Sequence, residues 1–163
     1  MVVAAHPLAA RAGVDAIRRG GSALDAAIAV ELVLGLVEPQ SSGLGGGGFL
    51  LHYAARDAKL EAYDGRETAP ASAKPGRFLG AGGRPLDWPD AVVSGKSVGV
   101  PGLLRLLELA HRRHGKLPWA QLFDPAIKLA QEGFPIAAPV TWAQIERGIP
   151  PGAFKIGQNR RRK

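Results

Sequence analysis

One arginine in this chain stands where a binding residue is expected. Asp64-Gly65-Arg66-Glu67-Thr68-Ala69-Pro70 sets a guanidinium between two carboxylates. Such an arrangement is ordinarily a surface ion pair, worth under about 1 kcal/mol. Here it follows a predicted strand and opens an irregular loop, the place where scaffolds commonly carry binding groups. The planar fork of an arginine can hold a carboxylate through two parallel hydrogen bonds, which lysine reproduces poorly. Ion pair and carboxylate clamp are both open readings of Arg66 at this level.

The other chemistry-bearing residues form no centre. Gly43-Leu44-Gly45-Gly46-Gly47-Gly48 satisfies G-x-G-x-x-G. A dinucleotide site needs a strand before those glycines and a helix N-terminus after them, so that the pyrophosphate meets free amides. Here a helix precedes and a strand follows, which excludes that site. Ser94-Gly95-Lys96-Ser97 ends like a phosphate-binding loop, yet Asp90 occupies the position of the required glycine. His6, His52, His111 and His114 lack metal-ligand spacing. His111 and His114 neighbour Arg112 and Arg113, whose charge disfavours a cation, and read as solvated residues at a helix C-terminus. No serine lies in a G-x-S-x-G elbow, and neither Thr68 nor Thr141 has an evident base. The absence of cysteine excludes disulfides and thiolate chemistry. No catalytic residue, metal site or cofactor is expected from the residues of this chain.

The elements that must position Arg66 can be read from apolar periodicity. Leu8, Ala9, Ala12, Val14, Ala16 and Ile17 fall near helical spacing between Pro7 and Arg19, and Gly20-Gly21 ends that helix. Ser22 and Asp25 have the form of a capping box and start a second helix that runs to Val37, before Pro39. Its interior is apolar nearly all round, which predicts burial between layers. The glycines then mark a tight passage from helix to strand, packed against neighbouring layers with little room for side chains. Phe49-Leu50-Leu51-His52-Tyr53 and Leu60-Glu61-Ala62-Tyr63, joined by Ala55-Arg56-Asp57-Ala58, predict one β-hairpin. Prolines and glycines from Gly65 to Gly99 predict a long surface excursion, with a turn of helix near Arg77-Phe78-Leu79. Helices are predicted from Gly102 to His114, from Trp119 to Ala130 ended by Gly133, and more weakly from Pro139 to Arg147. A lone hairpin is marginal and exposes two edges. Strands outside this chain, or a partner chain, are expected to complete its sheet.

Length and composition fit a single domain: 163 residues, 46% hydrophobic and 21% charged. Of the net charge of +7, the terminal run Arg160-Arg161-Arg162-Lys163 supplies four, so the body is only mildly basic. That tail follows Pro150-Pro151-Gly152 without apolar periodicity and reads as a solvated end rather than a nucleic-acid arm. The apolar stretch Ala26 to Val37 is too short for a bilayer core of about 30 Å. No basic-then-apolar leader opens the chain, which as written is expected in the cytoplasm.

Three groups of residues, taken in order, closely resemble the N-terminal part of the γ-glutamyltransferases. They are Gly20-Gly21-Ser22-Ala23-Leu24-Asp25-Ala26-Ala27, then Glu38-Pro39-Gln40-Ser41-Ser42-Gly43-Leu44-Gly45-Gly46-Gly47-Gly48-Phe49, then Asp64-Gly65-Arg66-Glu67-Thr68-Ala69-Pro70. Ser97-Val98-Gly99-Val100-Pro101-Gly102, and Leu117-Pro118-Trp119 through Ala130-Gln131-Glu132-Gly133-Phe134, continue the similarity. The resemblance implies an α+β fold, part of the αββα sandwich of N-terminal-nucleophile hydrolases: a helix-rich fragment with one clear hairpin. It implies that a precursor is cut into two subunits and that the small subunit's new N-terminal threonine attacks the γ-glutamyl amide of glutathione. On this resemblance Arg66 matches the arginine that binds the α-carboxylate of the γ-glutamyl donor. The nucleophile belongs to a small-subunit segment absent from this chain, so the chain is expected to be inactive alone. Family members are usually periplasmic, secreted or at the cell surface. The expected organisation is an incomplete γ-glutamyltransferase-like portion over 1–150 and a basic, disordered tail over 151–163. The alternatives are a non-catalytic binding protein on the same scaffold, or a fragment of a related amide acylase.

Overall fold

The computed structural model describes residues 1–135. The weaker helix expected from Pro139 to Arg147, Thr141 and the basic tail lie outside the described residues.

Helix α1 (Pro7–Arg18) begins with Pro7 in its first turn and His6 as N-cap, whose Nδ1 accepts from the Leu8 N–H at 3.2 Å. Helix α2 (Ala23–Val37) begins with the expected capping box. Ser22 N–H donates to Asp25 Oδ2 at 2.7 Å, and Asp25 N–H donates to Ser22 Oγ at 3.1 Å. Both helices meet through small residues. Ala9, Ala12 and Ala16 pack on Ala26, Ala29 and Val33, and a Cβ added at Gly13 would lie 2.7 Å from Val30 Cγ2. The absent side chain at Gly13 lets the two backbones approach.

The rest of α2 explains its nearly continuous apolar character. Leu24, Ile28 and Leu32 point away from α1 into a second cluster with Leu103, Leu106, Leu107, Ala110 and Leu122. Helix α2 therefore lies between α1 on one side and the C-terminal helices on the other, as its composition predicted. Burial of these side chains is the main favourable term, at roughly 1.5–3 kcal/mol for each fully buried large one.

Strands β1 (Phe49–Ala54) and β2 (Lys59–Asp64) form an antiparallel hairpin in the register Phe49↔Asp64 to Ala54↔Lys59. Ala58 closes its turn at φ 48°. Leu50 and Tyr63, a cross-strand pair, pack against the second cluster. The opposite face exposes Phe49 (70%), Leu51 (70%), Tyr53 (61%) and Leu60 (62%). Among the described residues nothing covers that face.

The excursion from Gly65 to Gly99 differs in detail from expectation. Arg77 and Phe78 form hydrogen-bonded turns, with Arg77 N–H to Lys74 O at 3.0 Å, rather than a turn of helix. The segment's α-helix is instead α3 (Trp88–Val93), which has Asp87 as N-cap and Pro89 in its first turn, with 3-10 turns at Ala81–Gly83 and Gly95–Ser97. Helix α4 (Leu103–His114) matches its expected span. The predicted helix from Trp119 to Ala130 is divided into a 3-10 turn, Trp119–Leu122, and α5 (Asp124–Glu132). Pro125, which has no N–H to continue a helix, sets the new start. Gly133, at φ 80°, ends it as expected.

Candidate functional site

Three backbone segments cross where β2 ends, and the crossing fixes Arg66. The glycine segment and the exit of β2 extend the hairpin by one pair: Gly65 N–H donates to Gly48 O at 2.9 Å and Gly48 N–H to Gly65 O at 3.2 Å. The start of α4 joins them, because Gly102 and Leu103 N–H both donate to Gly46 O, at 3.1 and 3.2 Å. Those amides are among the four that a helix N-terminus cannot satisfy internally, so the glycine segment caps α4.

Close approach makes glycine obligatory at a few of these positions. A Cβ on Gly47 would lie 2.5 Å from Glu67 Oε2 and 2.6 Å from Gly65 O. One on Gly65 would lie 2.6 Å from Leu106 Cβ, and one on Gly102 would collide with Gly65 O. Gly43 and Gly45, by contrast, have open space around them. None of Gly43, Gly45, Gly46, Gly47 and Gly48 adopts positive φ. The expectation that this run packs tightly against neighbouring layers therefore needs correction. Its tight neighbour is mainly the Gly65–Glu67 loop, and Gly47 bears the constraint.

Arg66 leaves this crossing with its backbone pinned and its side chain out. Its N–H donates to Asp64 Oδ1 at 2.9 Å, so Asp64 orients the backbone instead of pairing with the guanidinium. Arg66 Nε lies 3.5 Å from Glu67 Oε2, and the arginine side chain is 72% exposed. Glu67 Oε2 is buried beneath it without a hydrogen-bond partner among the described residues. Arg66 lines an open cleft of about 540 Å³ formed with the excursion, which contributes Lys74, Arg77, Phe78 and Lys96. A solvent-open fork with one carboxylate at its Nε side has Nη donors left for a ligand carboxylate. Sequence reasoning singled out Arg66 alone. Adjacency in Arg66-Glu67 was the available signal for Glu67, whereas nothing local linked Lys74 or Lys96 to the site.

Two further polar groups tie the hairpin and α2 to α4, and they overturn the reading of His111 and His114 as solvated. His114 stacks on His52 with ring centroids 3.9 Å apart. Its Nε2 lies 2.7 Å from Glu61 Oε2 and 2.9 Å from Tyr63 Oη. Hydrogen bonding from Lys59, then from His114 and Tyr63, lowers the Glu61 carboxyl to about 2. His111 Nε2 lies 2.9 Å from Leu117 O and 3.5 Å from Asp25 Oδ1. Asp25 itself is fully buried. Besides capping α2, its Oδ2 accepts from Lys116 and Leu117 N–H at 2.9 and 3.2 Å. Burial pushes its carboxyl up, but the backbone N–H groups of Ser22, Lys116 and Leu117 outweigh this and hold it below the usual aspartate value. Both groups are structural ties at some distance from the cleft. Among the described residues no group of three or more His, Cys, Asp or Glu is arranged to hold a metal ion, and no helix is long and apolar enough to cross a membrane.

Residues 9–148 match the family described as gamma-glutamyltranspeptidase. The chain is 45% identical over 136 residues to the glutathione hydrolase proenzyme of Bacillus subtilis (strain 168), covering 83% of this chain and 23% of that protein. It thus spans about a quarter of the length of that relative. Among solved structures, a gamma-glutamyltranspeptidase from Pseudomonas nitroreducens complexed with L-DON superimposes with a TM-score of 0.80 at 35% identity, over 90% of this chain and 42% of that one. A cephalosporin acylase from Bacillus halodurans gives a TM-score of 0.69 at 32% identity, over 82% of this chain and 24% of that one. The helix-rich α+β arrangement with one hairpin is part of the N-terminal-nucleophile hydrolase fold. By sequence, by fold and by the ordered motifs around Arg66, the chain belongs to the gamma-glutamyltranspeptidase family.

Proposed function

We propose that this chain is the part of a γ-glutamyltransferase or glutathione hydrolase that holds the donor, with Arg66 clamping the α-carboxylate of the γ-glutamyl group. The observation that carries this reading is the placement of Arg66: backbone pinned by Asp64, Nε beside Glu67, side chain exposed on a residue that lines a cleft. Two parallel hydrogen bonds fix both position and orientation of a carboxylate, which places the γ-amide at a set distance from the clamp.

The nucleophile in this proposal is an N-terminal threonine on a segment beyond the quarter of the relatives that this chain spans. Its hydroxyl attacks the γ-carbonyl, its own α-amine takes the proton, and the amine of the leaving group departs. Water or an acceptor amine then releases the γ-glutamyl group. This chain contributes donor binding and no bond-making group, so alone it does not turn over glutathione.

The test is Arg66→Lys in the assembled two-part enzyme. Loss of a bidentate contact to a charged group costs about 1.5–3 kcal/mol, so donor KM is expected to rise roughly ten- to a hundredfold with kcat much less affected. Unchanged donor KM refutes the assignment. A second reading, part of a related amide acylase, is favoured by the likeness to the cephalosporin acylase. Preferential cleavage of an amide whose acyl group lacks an α-carboxylate would select it.

A further inference from the structure

One side chain closes the frame of the excursion. None of residues 69–99 is buried, so no apolar core holds this segment. At its base Thr68 pairs with Val100, whose N–H donates to Thr68 O at 2.9 Å. Beyond the base each arm is tied to itself. Leu86 N–H donates to Phe78 O at 2.9 Å in the outgoing arm, and Ser97 Oγ donates to Val92 O at 2.8 Å in the returning one. Among the described residues only Arg77 hydrogen-bonds from one arm to the other: its Nε donates to Lys96 O, and its Nη2 to Gly95 O at 3.2 Å.

That clip divides the segment in two. Every residue that lines the cleft falls within 66–78 or 96–99, and residues 79–95 contribute none. The cleft is therefore the interior of a ring, bounded at one end by the Thr68–Val100 pair and at the other by the Arg77 guanidinium. A planar guanidinium can hold two successive carbonyls at once, which an ammonium point charge does less well. The chance that two ends of a flexible chain meet falls as about the 3/2 power of the residues between them. Without the clip the base pair closes the 31 residues 69–99, and with it the ring holds 11, residues 69–76 and 97–99. The clip thus favours the base pair roughly fivefold.

We propose that Arg77 is a positioning residue for donor binding: by closing the ring it holds Thr68 on Val100, and so keeps the cleft wall that begins at Arg66 in its binding shape. The inference rests on the donor-binding reading of Arg66. Arg77 touches no donor in this proposal and acts only through the two carbonyls it holds.

The experiment pairs amide hydrogen exchange on the 163-residue chain with donor kinetics of the assembled two-part enzyme, each for Arg77→Gln. Protection of the Val100 N–H is expected to fall roughly fivefold. Protection of the Gly65 N–H, which donates to Gly48 O at 2.9 Å outside the ring, is expected to stay unchanged. Arg77→Lys is expected to lie between Arg77→Gln and the parent. Donor KM is expected to rise roughly two- to fivefold with kcat unchanged, because the binding-competent fraction falls by no more than ring closure does. Unchanged Val100 protection, or an equal fall at Gly65, overturns the clip and the inference with it. A fall at Val100 with donor KM raised by Arg66→Lys but unmoved by Arg77→Gln overturns the positioning role and leaves the role of Arg66 standing. Donor KM indifferent to both substitutions overturns the donor-binding reading and the positioning role together.

Discussion

Replacing Gly47 by Ala tests whether the backbone crossing beneath Arg66 is as tight as its geometry requires. The new Cβ would lie 2.5 Å from Glu67 Oε2, 2.6 Å from Gly65 O and 2.8 Å from Glu67 N, against ordinary contacts of 3.4–4 Å. Two of those neighbours are main-chain atoms, so no rotamer change relieves the overlap, and the Gly65–Glu67 loop must shift by more than half an ångström. Overpacking of this kind costs about 1–3 kcal/mol. Gly47 does not adopt positive φ, so the alanine gains about 0.4–1 kcal/mol from lost freedom of the unfolded chain. Between the midpoints of these ranges the net is a loss of roughly 1.3 kcal/mol. For a chain of this length each kcal/mol moves Tm by roughly 2–4 °C, so thermal denaturation is expected to show a fall of roughly 3–5 °C. Gly45→Ala is the matched control, since a Cβ there meets nothing within 4 Å. It is expected to hold or raise Tm by up to about 4 °C. Equal effects of the two substitutions, or a larger fall for Gly45→Ala, would refute the placement of the constraint at Gly47.

Asp25→Ala removes the acceptor shared by Ser22, Lys116 and Leu117 N–H. Urea denaturation is expected to show a loss of about 3–5 kcal/mol, and a loss below about 1 kcal/mol refutes its role as a tie. Asp25 and Glu61 both have carboxyls below their ordinary values of 3.8 and 4.5. The stability they add is therefore complete above those values and is lost as pH falls, for Glu61 between 4.5 and about 2. A flat profile of urea midpoint against pH from 5 down to 2.5 contradicts this. Glu31 is the opposite case, since burial raises its carboxyl above the ordinary 4.5. Ionisation of Glu31 opposes folding, so Glu31→Gln is expected to raise Tm at pH 7 and to have less effect at pH 4; the same rise at both values contradicts the cause.

What could be read along the chain was local, and what could not was held by distant partners. The capping box at Ser22 and Asp25, the hairpin and the span of α4 follow from residues a few positions apart. The same Asp25 also binds amides 91 and 92 positions away, which no spacing rule reports. For that reason spacing misleads at His111 and His114: their position in the last turn of a basic helix suggests solvent, while Asp25, His52 and Glu61, far earlier in the chain, lie against them. The glycine run was legible as a place of close approach, but its neighbour, the Gly65–Glu67 loop, comes from the far end of the hairpin. Pro125 signals the break before α5, although an apolar pattern runs across it. Arg66 was legible as a candidate because it directly follows a strand. The cations across its cleft were not, because a segment without periodicity carries no record of where its turns return.

The Thr68–Val100 pair, whose Val100 N–H donates to Thr68 O at 2.9 Å, closes residues 69–99 into a loop that leaves and rejoins the domain at one point. The entropy of closing a loop grows only with the logarithm of its length, so doubling this one would cost about 0.6 kcal/mol. Helices α1, α2, α4 and α5 and the hairpin are thus indifferent to how long the segment is or what it carries, provided that its two ends still pair. Changes in its length or charge can retune the surroundings of Arg66 while leaving the scaffold that positions Arg66 untouched.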